Sequence, residues 1–106
     1  MPKGYWIVRV DVSDADAYRR YIEANAEPIS RFGGRFLVRG GRHEAVEGSA
    51  RQRNVVIEFD SYEAARNCYF DDAYAKARSL RDATSVADFL IIEGYDGPQP
   101  GEGLPG

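Results

Sequence analysis

Apolar residues recur at every second position along four short stretches of the chain. In the first, YWIVRVDV at residues 5–12, every second residue from Trp6 onward is apolar and the intervening positions are mixed. Apolar residues also recur at every second position within residues 35–39, 53–59 and 86–93, where some of the intervening positions are apolar as well. A period of two is typical of a strand with one face toward the core. The sequence therefore predicts four strands.

Two stretches between these strands have the spacing of amphipathic helices. In the first, Ser13 is expected to cap the helix, and Pro28 is expected to kink or divide it because proline removes a backbone hydrogen bond. The second is expected to be capped by Asp60. It is interrupted at Asp71-Asp72 and continues as another short helix.

The predicted order of elements is therefore βαββαβ. Two split βαβ units of this kind form a four-stranded antiparallel sheet with the helices on one face, which is the α+β ferredoxin-like fold. Residues 1–95 are expected to form one such domain, since 106 residues leave little room for two. Residues 96–106 contain four glycines and three prolines, and we expect a disordered tail in which only Leu104 could be buried.

The second and third strands are expected to pair as a hairpin across the loop that joins them. The register predicted from the middle of that loop places Arg35 opposite Glu58, Leu37 opposite Val56, and Arg39 opposite Asn54. In this register Phe36 and Val38 lie beneath the helices, whereas the three residues between and beside them point to the other face.

The face of the sheet away from the helices carries several large apolar side chains that a monomer would leave in water. Contiguous apolar patches usually mark interaction surfaces, and charges at their margins suit a polar rim. We therefore predict that this face packs against its own copy in a homodimer. Its predicted members are Tyr5, Ile7, Arg9, Arg35, Leu37, Val56 and Glu58.

Composition and charge exclude several classes of protein. The net charge of −3 argues against nucleic acid as a main partner. No apolar stretch approaches the ~18 residues that span a bilayer, and the first residues lack the pattern of a secretory signal. One cysteine, Cys68, and one histidine, His43, cannot build a zinc site. We expect a cytoplasmic protein without metal or other cofactor, in which Cys68 is a small buried hydrophobe.

Several spaced motifs resemble those of one bacterial family. They are GGRFLVRGG at 33–41, VEG at 46–48, VVIEFDSYEAA at 55–65, the D-x-x-Y of Asp71 and Tyr74, SLR at 79–81 and IIEG at 91–94. Together they make the chain similar, over residues 4 to about 95, to the family called domain of unknown function 1330.

The resemblance implies a dimeric α+β barrel, in which two ferredoxin-like subunits pack sheet against sheet. The family has no established activity, and the wider superfamily includes cofactor-free monooxygenases, isomerases and plain binding proteins, so the fold cannot choose among them. The chain departs from the family pattern at Asn67-Cys68, where a tryptophan is expected next to Tyr69. If that ring lines a pocket in relatives, the pocket differs here.

Five residues are candidates for a functional site. Arg39, in the family-like VRGG, either holds an anionic ligand through its guanidinium group or pairs with an acid across the dimer. Tyr69, Tyr74 and Arg81 either converge on a small ligand between helix and sheet or form a tyrosine-rich edge of the core. His43 either serves in acid–base chemistry, for which histidine is the commonest side chain, or is a solvated loop residue.

The predicted function is the binding of a small organic molecule, anionic if Arg39 holds it, in a pocket within each subunit. Tyr69 and Arg81 are the further ligand-binding candidates. If the protein is an enzyme, we expect cofactor-free oxygenation or isomerisation, with His43 and Tyr74 as catalytic candidates. The alternative is a non-catalytic dimer with a structural or ligand-sensing role.

Overall fold

A computed structural model describes residues 2–103 and confirms the predicted order of elements. The elements are β1 (Gly4–Val12), α1 (Ala15–Arg31), β2 (Arg35–Arg39), β3 (Arg53–Phe59), α2 (Tyr62–Tyr69), α3 (Asp72–Asp82) and β4 (Ser85–Glu93). The strands form one antiparallel sheet in the order β2-β3-β1-β4. This is the α+β ferredoxin-like arrangement. Residues 96–103 contain no helix or strand, and Leu104 of the predicted tail lies outside the described residues.

The core lies between the sheet and the helices, with Trp6 of β1 at its centre. The indole ring lies 4.9–5.0 Å, between ring centroids, from the rings of Phe59, Tyr74 and Phe89. Its Nε1 donates a hydrogen bond of 2.8 Å to the carbonyl oxygen of Ala65 on α2. Because this polar atom is satisfied, the whole side chain is buried without an unpaired donor.

Both predicted helix caps are wrong by one residue. The carboxylate of Asp14 caps α1 and accepts hydrogen bonds from two backbone N–H groups of its first turn. Ser13 is not free to cap, because its hydroxyl donates to the carbonyl oxygen of Thr84 at 2.8 Å. The hydroxyl of Ser61, rather than Asp60, caps α2.

Helix α1 continues through Pro28, so this residue does not divide it. Only the last turn of the helix follows this residue. Its carbonyl still accepts a hydrogen bond of 3.1 Å from the backbone N–H of Phe32, and its ring is fully buried. Apolar burial of the ring offsets the one backbone hydrogen bond that proline cannot donate.

The pairing of β2 with β3 follows the predicted register only at its start. Arg35 lies opposite Glu58, and Nη2 of the arginine approaches a carboxylate oxygen at 2.5 Å. A β-bulge between Phe36 and Val38 then adds one residue to β2. Beyond it, Val38 lies opposite Val56, and Arg39 lies opposite Val55. The predicted pairs of Leu37 with Val56 and Arg39 with Asn54 are therefore wrong.

The bulge reverses the direction of the residues that follow it, since side chains alternate along a strand. Val38, predicted beneath the helices, is 44% exposed. Arg39 instead turns to the side of the helices, where its guanidinium carbon lies 4.0 Å from the centroid of the Phe36 ring. One inserted residue thus moves an arginine from one face of the sheet to the other.

The sheet surface away from the helices, here called the outer face, is apolar at its centre. Ile7 of β1 lies between Val56 of β3 and Leu90 of β4 in the register. Six of the seven predicted interface residues lie on this face, and the seventh, Leu37, is the half-exposed residue of the bulge. Strand β4 adds exposed side chains at Val86, Leu90 and Ile92. Within residues 2–103, no helix combines the length and apolar character needed to cross a bilayer.

Candidate functional site

A small cavity, here called the α1 cavity, lies between α1 and the sheet. Its volume is about 20 Å³, enough for one water molecule. Five apolar side chains of the three neighbouring strands, together with Ile22 of α1, form one part of its walls. Five residues add polar groups: Tyr18, Tyr21 and Asn25 from α1, Arg39 from β2 and Arg53 from β3.

The α1 cavity adjoins a groove on the surface between α1 and β2. Asn25, Phe36 and Arg39 line both spaces, and the groove continues along Ile29 and Gly34. Its volume is about 350 Å³, which falls in the range of small-molecule sites. The cavity and the groove therefore share part of one wall, and the groove is the larger of the two spaces.

Two guanidinium groups flank the cavity without a carboxylate partner. Neither Arg39 nor Arg53 forms an ion pair with any carboxylate of residues 2–103. The guanidinium carbon of Arg53 lies 5.6 Å from the centroid of the Tyr18 ring. Its Nε is buried and has no hydrogen-bond partner in the described part of the chain. Neither positive charge is thus neutralised by a carboxylate of residues 2–103.

Gly40, which follows β2, makes room for one of these groups. Its φ of +64° lies in the left-handed region that side chains disfavour. A Cβ at this position would lie 2.5 Å from Nη1 of Arg53. Its backbone N–H also donates to the carbonyl oxygen of Asn54 at 2.9 Å. The glycine therefore ends β2 and lets the arginine side chain pack against the backbone.

Tyr21 connects the α1 cavity to a buried pair of hydroxyl groups. Its Oη lies 2.7 Å from Oη of Tyr74, and Tyr74 is fully buried. Burial, and then the neighbouring Tyr21, raises the pKa of Tyr74 well above its ordinary value. Tyr74 therefore stays protonated near neutral pH, and it reaches the cavity only through Tyr21.

Arg81 places a third positive charge beside this pair. It is only 5% exposed, and its guanidinium carbon lies 5.0 Å from the centroid of the Tyr21 ring. Nη1 donates to a carboxylate oxygen of Asp82 at 3.4 Å, whereas the buried Nε has no partner within residues 2–103. The ring face attracts the cation, so Arg81 stabilises the position of the Tyr21 ring.

The other two sequence candidates do not line the α1 cavity. Oη of Tyr69 accepts a hydrogen bond of 2.6 Å from Nη1 of Arg78. His43 is exposed in the loop between β2 and β3, with Nδ1 at 3.2 Å from the carbonyl oxygen of Gly41. Of the sequence candidates, Arg39 thus lines the α1 cavity, and Tyr74 and Arg81 lie next to Tyr21. The ring centroid of Tyr69 lies 5.6 Å from that of Tyr74, whereas His43 lies apart in its loop.

Four of the residues that bring polar groups to the cavity are absent from the sequence candidates: Tyr18, Tyr21, Asn25 and Arg53. Two of them carry a signal that the sequence does show. Asn25 follows Tyr21 by four positions, in phase with the apolar face of α1, and it is 5% exposed. Arg53 precedes Val55 by two positions, in phase with the buried face of β3. In the sequence, this site is therefore indicated by polar residues at positions where the period of the helix or strand predicts a buried side chain.

Cys68 is buried, as predicted, and its thiol is a poor nucleophile. Burial raises the pKa of its thiol to about 12, so it is not a thiolate at neutral pH. Within residues 2–103, no three histidine, cysteine or carboxylate side chains lie close enough together to hold a metal ion.

Solved structures of other proteins share this fold at low sequence identity. A protein of unknown function from Rhodopseudomonas palustris is 16% identical, with a TM-score of 0.74 over 91% of this chain and 85% of that chain. SnoaB, a cofactor-independent oxygenase from Streptomyces nogalater, is 14% identical, with a TM-score of 0.62 over 92% of this chain and 97% of that chain.

A putative antibiotic biosynthesis monooxygenase from Caulobacter crescentus is 15% identical, with a TM-score of 0.50 over 84% of this chain and 87% of that chain. At these identities the likeness establishes the fold and not the chemistry. No curated protein matches the chain.

Family membership rests on the sequence itself. Residues 3–95, which contain every strand and helix, match the family described as Domain of unknown function (DUF1330). This range agrees with the one over which the spaced motifs resemble that family. The chain therefore belongs to the DUF1330 family.

Proposed function

We propose that the protein binds a small organic molecule at the α1 cavity and its adjoining groove, in each subunit of a homodimer. The observation that carries this proposal is a set of polar groups from three elements around a gap in the core. A core that served stability alone would fill such a gap with apolar side chains, because buried polar groups without partners are costly. The open groove supplies the volume that the cavity lacks.

The homodimer is supported by the outer face. In a single chain, Leu90 and Ile92 are each 49% exposed, beside the half-buried Ile7 and Val56. An apolar surface this continuous is usually covered by a partner. A second copy is the simplest partner, because the same surface on both subunits is complementary to itself across a two-fold axis.

A thermal-shift screen tests ligand binding with two tryptophan variants of α1. Ile22 lines the α1 cavity and is only partly buried, so Ile22→Trp should fill the cavity without unfolding the helix. Glu23→Trp makes the same kind of change on the exposed side of α1. Small carboxylates, phenols and indole that stabilise the wild type should lose their effect in Ile22→Trp and keep it in Glu23→Trp. Binding that survives Ile22→Trp unchanged would place the site elsewhere.

A catalytic version of this proposal has one structural observation in its favour. The Tyr21–Tyr74 hydroxyl pair, with Arg81 beside it, can stabilise negative charge that develops on a bound molecule. In cofactor-free oxygenation or isomerisation, Tyr21 would contact the ligand, and Tyr74 and Arg81 would position it. His43 would have to act from its exposed loop. Arg39→Ala and His43→Ala should then both abolish turnover, and unchanged rates in both would remove these roles.

The alternative is a non-catalytic dimer with a structural or ligand-sensing role. The small volume of the α1 cavity favours it, because about 20 Å³ leaves little room for a reacting substrate. In this case a molecule that binds in the screen should be recovered unchanged after prolonged incubation in air with the protein. Conversion of the molecule, faster than in Tyr21→Phe, would favour the enzyme.

A further inference from the structure

We infer that the ligand is a small organic carboxylate, and that Arg53 binds its carboxylate group together with Arg39. This inference rests on the proposed ligand-binding function and adds the chemical class of the ligand and its main anchoring residue. It starts from the two guanidinium groups at one cavity, which have no carboxylate of residues 2–103 within ion-pair distance.

Arginines next to this pair in the fold do have carboxylate partners. Arg35 also lines the groove, but its guanidinium group is paired with Glu58. Arg51, two positions before Arg53, is paired with two aspartates, each at 2.8 Å. Protein carboxylates are therefore close by along the same strands, and among the four arginines that lie within the strands only Arg39 and Arg53 have no ion pair with residues 2–103.

Burial makes the missing partner costly for Arg53. Its Nε is shielded from solvent and makes no hydrogen bond with residues 2–103. A buried donor without an acceptor costs more than the hydrogen bond itself contributes. A carboxylate presents two acceptor oxygens in the geometry of the guanidinium fork, so it satisfies this donor and neutralises the charge together.

The remaining lining fits an organic acid better than an inorganic anion or a phosphate. The side chain of Asn25, 5% exposed, faces the same space and supplies a neutral amide. The cavity measures only about 20 Å³, which disfavours a bulky tetrahedral group with three oxygens more than a flat group with two. The groove beyond runs along Phe36 and Ile29, which suit an apolar and planar body.

Calorimetric titration of matched pairs of compounds tests this inference. The probes are benzoate, phenylacetate and salicylate, each compared with its neutral amide, and phenyl phosphate. At least one carboxylate should bind the wild type about 10-fold or more tightly than its amide. Arg53→Gln should weaken that carboxylate by about 10- to 100-fold, because it removes a charged hydrogen-bond donor, and should leave the amide unchanged.

Arg20→Gln is the matched control, since Arg20 lies exposed on α1 and lines neither space. It should leave carboxylate affinity unchanged. If Arg53→Gln fails to fold, Arg39→Gln takes its place, because Arg39 is exposed and its loss leaves no gap in the core.

The outcomes separate this inference from the function on which it rests. Equal binding of carboxylates and amides, or tighter binding of phenyl phosphate, would overturn the carboxylate and leave the ligand site standing. If Arg20→Gln lost as much carboxylate affinity as Arg53→Gln, the effect of both would be long-range attraction between the protein's positive charge and the anion. That result would also overturn the assignment of the carboxylate to Arg53. No binding by any of the seven compounds would contradict both.

Discussion

Replacing Leu90 by glutamate tests whether a second copy covers the outer face. Leu90 lies on β4 opposite Ile7, near the centre of the apolar surface. We expect the wild-type protein to be a dimer at micromolar concentration and Leu90→Glu to be a monomer. The fold of the subunit should persist, because the substituted side chain points away from the core.

The magnitude follows from the exposure of this side chain. Leu90 is 49% exposed in the single chain, so about half of it remains for a partner to cover. Full burial of a leucine stabilises by about 1.5–3 kcal/mol, so this half contributes about 0.7–1.5 kcal/mol. Two-fold symmetry counts it twice, giving about 1.5–3 kcal/mol, or roughly a 10- to 100-fold rise in the dissociation constant. Two buried, unpaired carboxylates add to this loss.

Sedimentation velocity across a concentration series is the assay, with Leu80→Glu as the matched control. Leu80 is 38% exposed on α3, in the helical layer on the opposite side of the molecule. The same substitution there should leave the dimer intact.

Two results would refute the reasoning. A wild-type protein that sediments as a monomer at all concentrations up to about 100 μM would show that no copy covers the outer face. A Leu90→Glu protein that dimerises as tightly as Leu80→Glu would place the interface on another surface. Circular dichroism of both variants checks that neither has lost its secondary structure.

Three further predictions concern stability and are measured by urea denaturation. Gly40→Ala should lower the free energy of unfolding by about 1–2 kcal/mol, since φ there is +64° and a Cβ would meet an arginine side chain. Gly41→Ala, with nothing within 4 Å, should not. The hydrogen bond from Arg31 lowers the pKa of Asp71 below the ordinary aspartate range. The pair therefore stabilises at neutral pH and loses its contribution as pH falls below about 4. The difference between wild type and Asp71→Asn should shrink from pH 7 to pH 3; a constant difference would contradict this. Tyr74→Phe should cost about 1 kcal/mol, because it leaves a neighbouring hydroxyl without its partner; stability equal to the wild type would contradict the buried pair.

The order of elements could be read from the sequence because the pleat imposes its period on the residues. In β1 the alternation of apolar residues is strict, and the structure buries the face that this alternation predicts. The break between α2 and α3 at Asp71-Asp72 can be predicted equally well, since Asp71 caps α3 through its own side chain. The caps of α1 and α2 are harder to predict from the sequence, because a Ser and an Asp stand side by side at each helix start. Contacts with distant residues decide which of the two caps the helix: Ser13 bonds to Thr84, and Asp60 bonds to Lys3.

The register of β2 could not be read in the same way. The segment RFLVR has apolar residues at three adjacent positions, so it fits a regular ladder and a bulged one equally well. A prediction from the loop midpoint assumes a regular ladder. It is correct at Arg35, where an ion pair with Glu58 fixes the strand, and wrong after the bulge.

The bulge also explains why the candidate site was only partly visible in the sequence. In a regular ladder Arg39 would point to the outer face, where its charge would lie at the proposed dimer surface. The extra residue turns it toward the helices, onto the Phe36 ring and the wall of the cavity that Arg53 also lines. The period of β3 places Arg53 on the buried face of the strand, yet a single arginine at the end of a strand is usually solvated. Neither arginine alone indicates the proposed anion site, because a single unpaired guanidinium group could be solvated by water. The proposal depends on both, since two unpaired positive charges at one cavity favour a bound anion.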